Sequence, residues 1–142
     1  MPHKLLMVDD SAGDLLLVRV ALEDAGIVVD FHSAADGLLA KEYLIRLAES
    51  GHQLPHAILL DLNMPRMDGG KLLKWIISSK AHRAIPVIIY TSSNDGKERA
   101  QCMEMGATDY WVKSSSYGDF GRMVTRLVGY MDATQVRLGG GG

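Results

Sequence analysis

Four short apolar runs in this 142-residue chain each stop directly at polar groups that could do chemistry. Leu5-Leu6-Met7-Val8 ends at Asp9-Asp10, and Ala57-Ile58-Leu59-Leu60 ends at Asp61. Val87-Ile88-Ile89-Tyr90 ends at Thr91-Ser92-Ser93, and Thr108-Asp109-Tyr110-Trp111-Val112 ends at Lys113. Three gathered carboxylates repel one another unless a cation neutralises them. Hard oxygen donors suit Mg²⁺, which keeps several waters and needs only a few carboxylates. A carboxylate held beside such an ion can act as a nucleophile toward phosphorus. The metal neutralises developing charge, and an ammonium and a hydroxyl bind the remaining phosphoryl oxygens. The set therefore suits phosphoryl transfer, with the single Asp61 as nucleophile and the pair Asp9 and Asp10 as metal holder. A lone Asp after a strand more commonly caps a helix or makes a turn, and Asp14 and Asp36 are read that way. Two adjacent acids cannot both cap, so the pair and the joint arrangement carry the functional reading.

The elements that must position these groups follow from the patterning. Apolar residues recur at helical spacing from Leu15 to Ala25, closed by Gly26 as a C′ glycine. Ile27 to Phe31 is β-branched and strand-like. Helices are predicted over Asp36 to Ser50, Gly70 to Ser79, Asp95 to Met105 and Tyr117 to Met131. Phe120, Met123, Val124, Leu127, Val128 and Met131 form the buried stripe of the last one. Tyr110 and Trp111 alternate on the last strand and so face opposite sides, with Trp111 in the core. Five nearly all-apolar strands separated by helices predict an α/β fold, a doubly wound five-stranded parallel sheet with five helices. In such sheets ligands bind outside the carboxyl ends of the strands, where the polar groups lie.

Composition bounds the rest. The length fits one domain, predicted over residues 1–132, followed by a flexible arm over 133–142 that ends in Gly139 to Gly142. That leaves no room for an output domain, so a freestanding single-domain protein is expected. A net charge of −2 offers no basic field for nucleic acid. No apolar run approaches a membrane span. One cysteine, Cys102, excludes an intrachain disulfide and fits a reducing compartment, so a cytoplasmic location is expected. The five histidines show no paired metal spacing and are read as surface or loop residues. The methionines are read as core fillers.

The motifs Leu5 to Ser11, Ile58 to Gly69, Pro86 to Ser92 and Gly106 to Lys113, in this order, resemble the response-regulator receiver domain of two-component signalling. The resemblance spans about Lys4 to Met131. It implies a flavodoxin-like sheet of order 2-1-3-4-5. It implies that Asp61 accepts a phosphoryl group from a phosphohistidine of a sensor histidine kinase. Asp10, Asp61 and the backbone carbonyl of Asn63 would ligate Mg²⁺, with Asp9 acting through metal-bound water. Lys113 would pair with the phosphoryl group. Thr91 would move toward it, and Tyr110 would then turn inward. Asn63 would modulate loss of the phosphoryl group, and Ser93 is placed in the same modulating class. Such a chain is a phosphoacceptor switch rather than an enzyme acting on other molecules. It takes part only in its own phosphotransfer and autodephosphorylation.

The family usually has a proline after the strand-five lysine; here the pair is Lys113-Ser114. A cis bond without proline costs ~2.5–4 kcal/mol, so a trans bond is expected. This pair, the loop Asp61-Leu62-Asn63-Met64-Pro65 and the connection from Gly51 to Pro55 resemble the small receivers paired with bacterial phytochromes. Their kinase would be a bacteriophytochrome. Candidate further partners are a downstream phosphotransfer protein and a second copy of the chain. The copy would dock through the fourth helix, fifth strand and fifth helix or through Tyr130 to Leu138. Three other functions fit the motifs less well. A flavin site would need a glycine- and hydroxyl-rich loop where Asp9-Asp10-Ser11 stands. An aspartyl phosphatase would place an acid two residues after Asp61, where Asn63 stands. A degenerate receiver serving only as a binding scaffold is disfavoured by the intact set.

Overall fold

The computed structural model describes residues 2–114 and 116–140. Elements alternate as β1 (His3–Val8), α1 (Ala12–Asp24), β2 (Val29–Ala34), α2 (Gly37–Ser50) and β3 (Ala57–Leu60). They continue as α3 (Gly69–Ser78), β4 (Val87–Thr91), α4 (Gly96–Met105), β5 (Asp109–Val112) and α5 (Tyr117–Gly140). The sheet is parallel throughout, in the order β2-β1-β3-β4-β5. This is the flavodoxin-like architecture expected from the alternation of apolar strands and amphipathic helices.

The central strands are apolar at nearly every position because both faces are covered. Side-chain alternation sorts them into two cores. Leu6, Val8, Ile58, Leu60, Ile89 and Tyr110 pack against α2, α3 and α4. Leu5, Met7, Leu59, Ile88, Tyr90 and Trp111 pack against α1 and α5. Tyr110 and Trp111 thus face opposite sides, and both are buried. Helix ends follow local chemistry. Ser11, Asp36, Asp68 and Asp95 each cap a helix by accepting a backbone N–H. Gly26 and Gly51 adopt left-handed conformations just past α1 and α2.

Three expectations need correction. The second strand lies two to three residues later than the β-branched Ile27-Val28 pair suggests, because the hydrogen-bond register pairs His3 with Val29 and Val8 with Ala34. The last helix does not stop at Met131 but continues through residue 132 to Gly140, with Thr134 buried on its inner side. The predicted arm over 133–140 is therefore helical backbone; Gly141 and Gly142 lie outside the described residues. His56 and His82 are buried rather than surface residues. His56 Nδ1 accepts the backbone N–H of Lys4 at 2.9 Å. The His82 ring bridges Ser79 Oγ and the Leu44 carbonyl, at 2.7 and 2.8 Å. Both rings satisfy buried backbone groups, a role that carries no pattern in the sequence. Among the described residues there is no cis peptide bond, so Lys113–Ser114 is trans as expected. No helix among them is long and apolar enough to cross a membrane.

Candidate functional site

The strand ladders extend one residue past the strands and so place the polar groups. Asp9 donates its backbone N–H to Ala34 O at 3.0 Å, and Asp61 donates to Val8 O at 2.9 Å. On the other side of the sheet, Lys113 donates to Thr91 O at 2.7 Å. Register alone therefore sets the acids and the lysine along one edge. Carboxylate oxygens of Asp9, Asp10 and Asp61 all lie within 4.8 Å of one another. Asp9 and Asp61 are buried, while Asp10 faces solvent. A compact set of hard oxygen donors, one of them open to water, is the donor chemistry that small divalent cations take. A cleft of about 550 Å³ opens beside Asp10 and Asn63, bounded on its far side by Glu98 and Cys102.

Lys113 reaches into this set. Its Nζ lies 2.8 Å from Asp9 Oδ2, 2.8 Å from Asp14 Oδ2 and 3.3 Å from Asp61 Oδ2. The ammonium also stands 5.7 Å from the centre of the Tyr90 ring. Burial alone would lower the lysine pKa. The contacts with Asp14 and Asp9, and the charge of Asp61, outweigh it and push the pKa up. For Asp9 burial wins and the pKa rises, although Lys113 and the Ser11 N–H pull it down. Burial, with the charge of Asp14 behind it, pushes the Tyr90 hydroxyl up to about 12.

Asp14 is the residue the sequence reading missed. Its position reads as a cap or turn residue, yet the cap of α1 is Ser11, whose Oγ accepts the Asp14 N–H at 3.2 Å. The Asp14 carboxylate is free to turn to Lys113. No spacing in the sequence links it to Lys113, 99 residues away, and only the fold shows what lies opposite. Asp36, in contrast, caps α2 as read, accepting the Leu39 N–H at 2.9 Å.

The loop carrying the Asp61 carboxylate is clamped on its α2–α3 side. Gly69 donates to Leu62 O at 3.1 Å and Gly37 to Met67 O at 3.0 Å. Arg66, held at φ 63°, donates from Nε to Asp36 Oδ2 at 2.8 Å. Asn63 donates its N–H to Asp61 Oδ1 at 3.4 Å.

The α4 side is built from hydroxyls. Thr91 is fully buried, and its Oγ1 accepts the Ser93 N–H at 3.4 Å. The Ser93 hydroxyl donates to the Glu98 carboxylate. Tyr110 is already turned inward, with its hydroxyl donating to the Ser93 carbonyl at 3.0 Å. The resemblance assigned that pose to the step after Thr91 moves; here both residues are seated together. Arg99 of α4 covers the Tyr110 ring at 5.9 Å from its centre.

Comparison with known proteins agrees with this architecture. The model of the response regulator receiver domain family matches residues 5–125. The probable methanogenesis regulatory protein FilR2 of Methanothrix harundinacea is 31% identical over 91% of this chain and 83% of its own length. Response regulator Rcp1 of Synechocystis sp. is 32% identical over 87% of this chain and 84% of its own. The Mn²⁺-bound crystal structure of Rcp1 superposes with a TM-score of 0.74 at 30% identity, covering 87% and 89% of the two chains. The phosphorylated cyanobacterial phytochrome response regulator RcpA superposes with a TM-score of 0.82 at 26% identity, covering 94% and 96%.

Proposed function

The chain belongs to the response regulator receiver domain family, and on that premise we propose that it accepts a phosphoryl group on Asp61, in a Mg²⁺-dependent phosphorelay, from a sensor histidine kinase. The observation that carries the proposal is the convergence of Asp9, Asp10, Asp61 and Lys113 on one edge of the sheet. An Asp61 oxygen attacks phosphorus, and the P–N bond to the kinase imidazole breaks. The electron pair of that bond returns to the imidazole nitrogen. Lys113 offers N–H donors and positive charge to the phosphoryl oxygens, where negative charge accumulates. Thr91 lies on the adjacent strand end and can supply a hydroxyl to the same oxygens.

Asp10, Asp61 and the Asn63 carbonyl would hold the Mg²⁺, with Asp9 through water. The ion supplies charge neutralisation on the transferring group. The donor set fits Mg²⁺ and Mn²⁺ alike, and the Mn²⁺-bound Rcp1 structure supports a divalent cation at this place in a relative. Relatives named as phytochrome response regulators support a bacteriophytochrome as the kinase.

The hydrogen bonds that tie Thr91 Oγ1 and the Tyr110 hydroxyl to the Ser93 backbone support Thr91 and Tyr110 as the switch, with Asn63 and Ser93 setting how long the phosphoryl group persists. The output would pass through the face of α4, β5 and α5, through pairing of two copies there or along the extended α5, or onward to a phosphotransfer protein. The test is intact mass after acetyl phosphate, with and without Mg²⁺. Mg²⁺-dependent phosphorylation, lost in Asp61→Asn, is expected. Equal labelling of Asp61→Asn, or no labelling of the native chain at any Mg²⁺ concentration, would overturn the assignment.

A further inference from the structure

We propose that Glu98 is a positioning residue: by binding the Ser93 hydroxyl it fixes the carbonyl that holds Tyr110 inward before any phosphoryl group arrives. Its effect on the phosphoryl group rests on Asp61 being the acceptor. Tyr110 is buried in the core shared with α2, α3 and α4, where a phenol hydroxyl needs a partner. That partner is the Ser93 carbonyl, at 3.0 Å. The inward pose is therefore only as stable as the placement of Ser93.

Ser93 lies on a connection that no core holds. Ser92, Asn94 and Asp95 are exposed and Ser93 is half-buried, so polar contacts must fix it. Its N–H reaches Thr91 Oγ1 at 3.4 Å, and its hydroxyl accepts the Asp95 N–H at 3.3 Å. Both are long bonds between neutral groups. The remaining contact is the hydrogen bond that the Ser93 hydroxyl donates to the Glu98 carboxylate. A charged acceptor makes such a bond roughly twice as strong as a neutral one. Glu98 is itself anchored. It stands in the first turn of α4, where the helix field favours negative charge, and one turn before Cys102, the buried residue of that helix. Tyr110, Ser93 and Glu98 thus tie β5 to α4 through the loop that follows Thr91.

A phosphoryl group on Asp61 that uses the inward Tyr110 finds that pose already populated. Its affinity scales with the populated fraction. Loss of the bond to Glu98 shifts the inward-to-outward ratio by about ten-fold, the low end for a hydrogen bond to a charged group. From a ratio of about ten to one, roughly half the molecules then remain inward, and a phosphoryl mimic binds about two-fold more weakly.

The test reads Tyr110 directly. The chain is labelled with 3-fluorotyrosine, and the Tyr110 line among the five tyrosines is assigned by its absence from Tyr110→Phe. Fluorine NMR spectra are compared for the native chain, Glu98→Ala, Ser93→Ala, the double variant and Glu98→Gln, all without a phosphoryl donor. Glu98→Ala and Ser93→Ala should each move the Tyr110 line about halfway to the free-tyrosine position. The double variant should move it no further, because both changes break one bond. Glu98→Gln keeps an acceptor oxygen and should move the line less than half as far as Glu98→Ala. The other tyrosine lines report the fold of each variant. Beryllofluoride, a phosphoryl mimic, is then titrated with Mg²⁺, and Glu98→Ala should bind it about two-fold more weakly. A Tyr110 line that stays in place in Glu98→Ala, or moves as far in Glu98→Gln, would overturn the inference. A native chain that binds no beryllofluoride would instead overturn the assignment of Asp61, with the Tyr110 line still deciding the role of Glu98.

Discussion

Substitution of Gly69 tests how tightly the loop that carries Asp61 is held. Gly69 is the first residue of α3, and its backbone lies against that of Asp61 and Leu62. An added Cβ would fall on the Asp61 carbonyl oxygen and come within 2.8 Å of Leu62 Cα and 2.9 Å of the Asp61 carbonyl carbon. Ordinary contact begins near 3.4 Å. The backbones would therefore have to separate by about one ångström or more, against the Gly69-to-Leu62 hydrogen bond. No flexible side chain is available to yield. Forcing extra volume into packed structure costs about 1–3 kcal/mol, and the obstacle here is backbone, so the upper half of that range is expected. For a domain of this size that lowers Tm by roughly 5–12 °C. Gly96 is the matched control. It is also the first residue of its helix, and nothing lies within 4 Å of its added Cβ. Gly96→Ala should be neutral or stabilise by up to about 1 kcal/mol. Urea unfolding with a shared m-value gives both differences. A Gly69→Ala variant within about 0.5 kcal/mol of the native chain would refute the packing argument. A phosphorylation rate unchanged despite lost stability would refute its link to the position of Asp61.

Other perturbations address the amino-terminal ends of the strands. Burial, with His3 and Lys4 nearby, holds the His56 pKa below the ordinary 6.5. The unfolded chain then takes up a proton that the folded chain refuses, so this contribution to stability is lost as pH falls from about 6.5 toward the folded value. Stability profiles measured from pH 8 to 5 should therefore have a shallower acid slope in His56→Asn; identical slopes would count against the reading. Burial would raise the Asp109 pKa, but hydrogen bonds from the Tyr130 hydroxyl and the Tyr110 N–H, with the charge of Arg126, overcome it and lower it. That contribution is present above 3.8 and disappears as pH falls through the folded value. Asp109→Asn should cost about 1–2 kcal/mol at neutral pH and progressively less below pH 4. Tyr130→Phe removes the 2.8 Å bond to Asp109 Oδ2 and should cost about 1 kcal/mol in a neutral-pH denaturation. A loss below about 0.3 kcal/mol would mean that solvent replaces the bond.

What could be read from the sequence was whatever a strand's own ends announce. Ala57 to Leu60 is apolar at every position and stops at an acid, and its bounds came out unchanged. The edge strand β2 is half-buried or exposed at every residue but Ala34, so Ile27 and Val28 outweigh it in the pattern although Val28 is 77% exposed. The end of α5 was misplaced because the closing glycines argue against helix, while Thr134 is held on the inner face by tertiary packing. Asp14, His56 and His82 share a cause. Their partners lie 99, 52 and 38 residues away, and no local rule links such positions.

The clamp on the α2–α3 side gives the molecule one fixed jaw and one movable jaw. Gly37, Asp36, Arg66 and Gly69 bind the Asp61 loop through backbone hydrogen bonds and an ion pair. The opposite side relies on the hydroxyls of Thr91, Ser93 and Tyr110, which can exchange partners by rotating single bonds. Work done at Asp61 therefore meets unequal stiffness. A displacement starting at Asp61 would be directed toward α4 and β5, before any partner arrives.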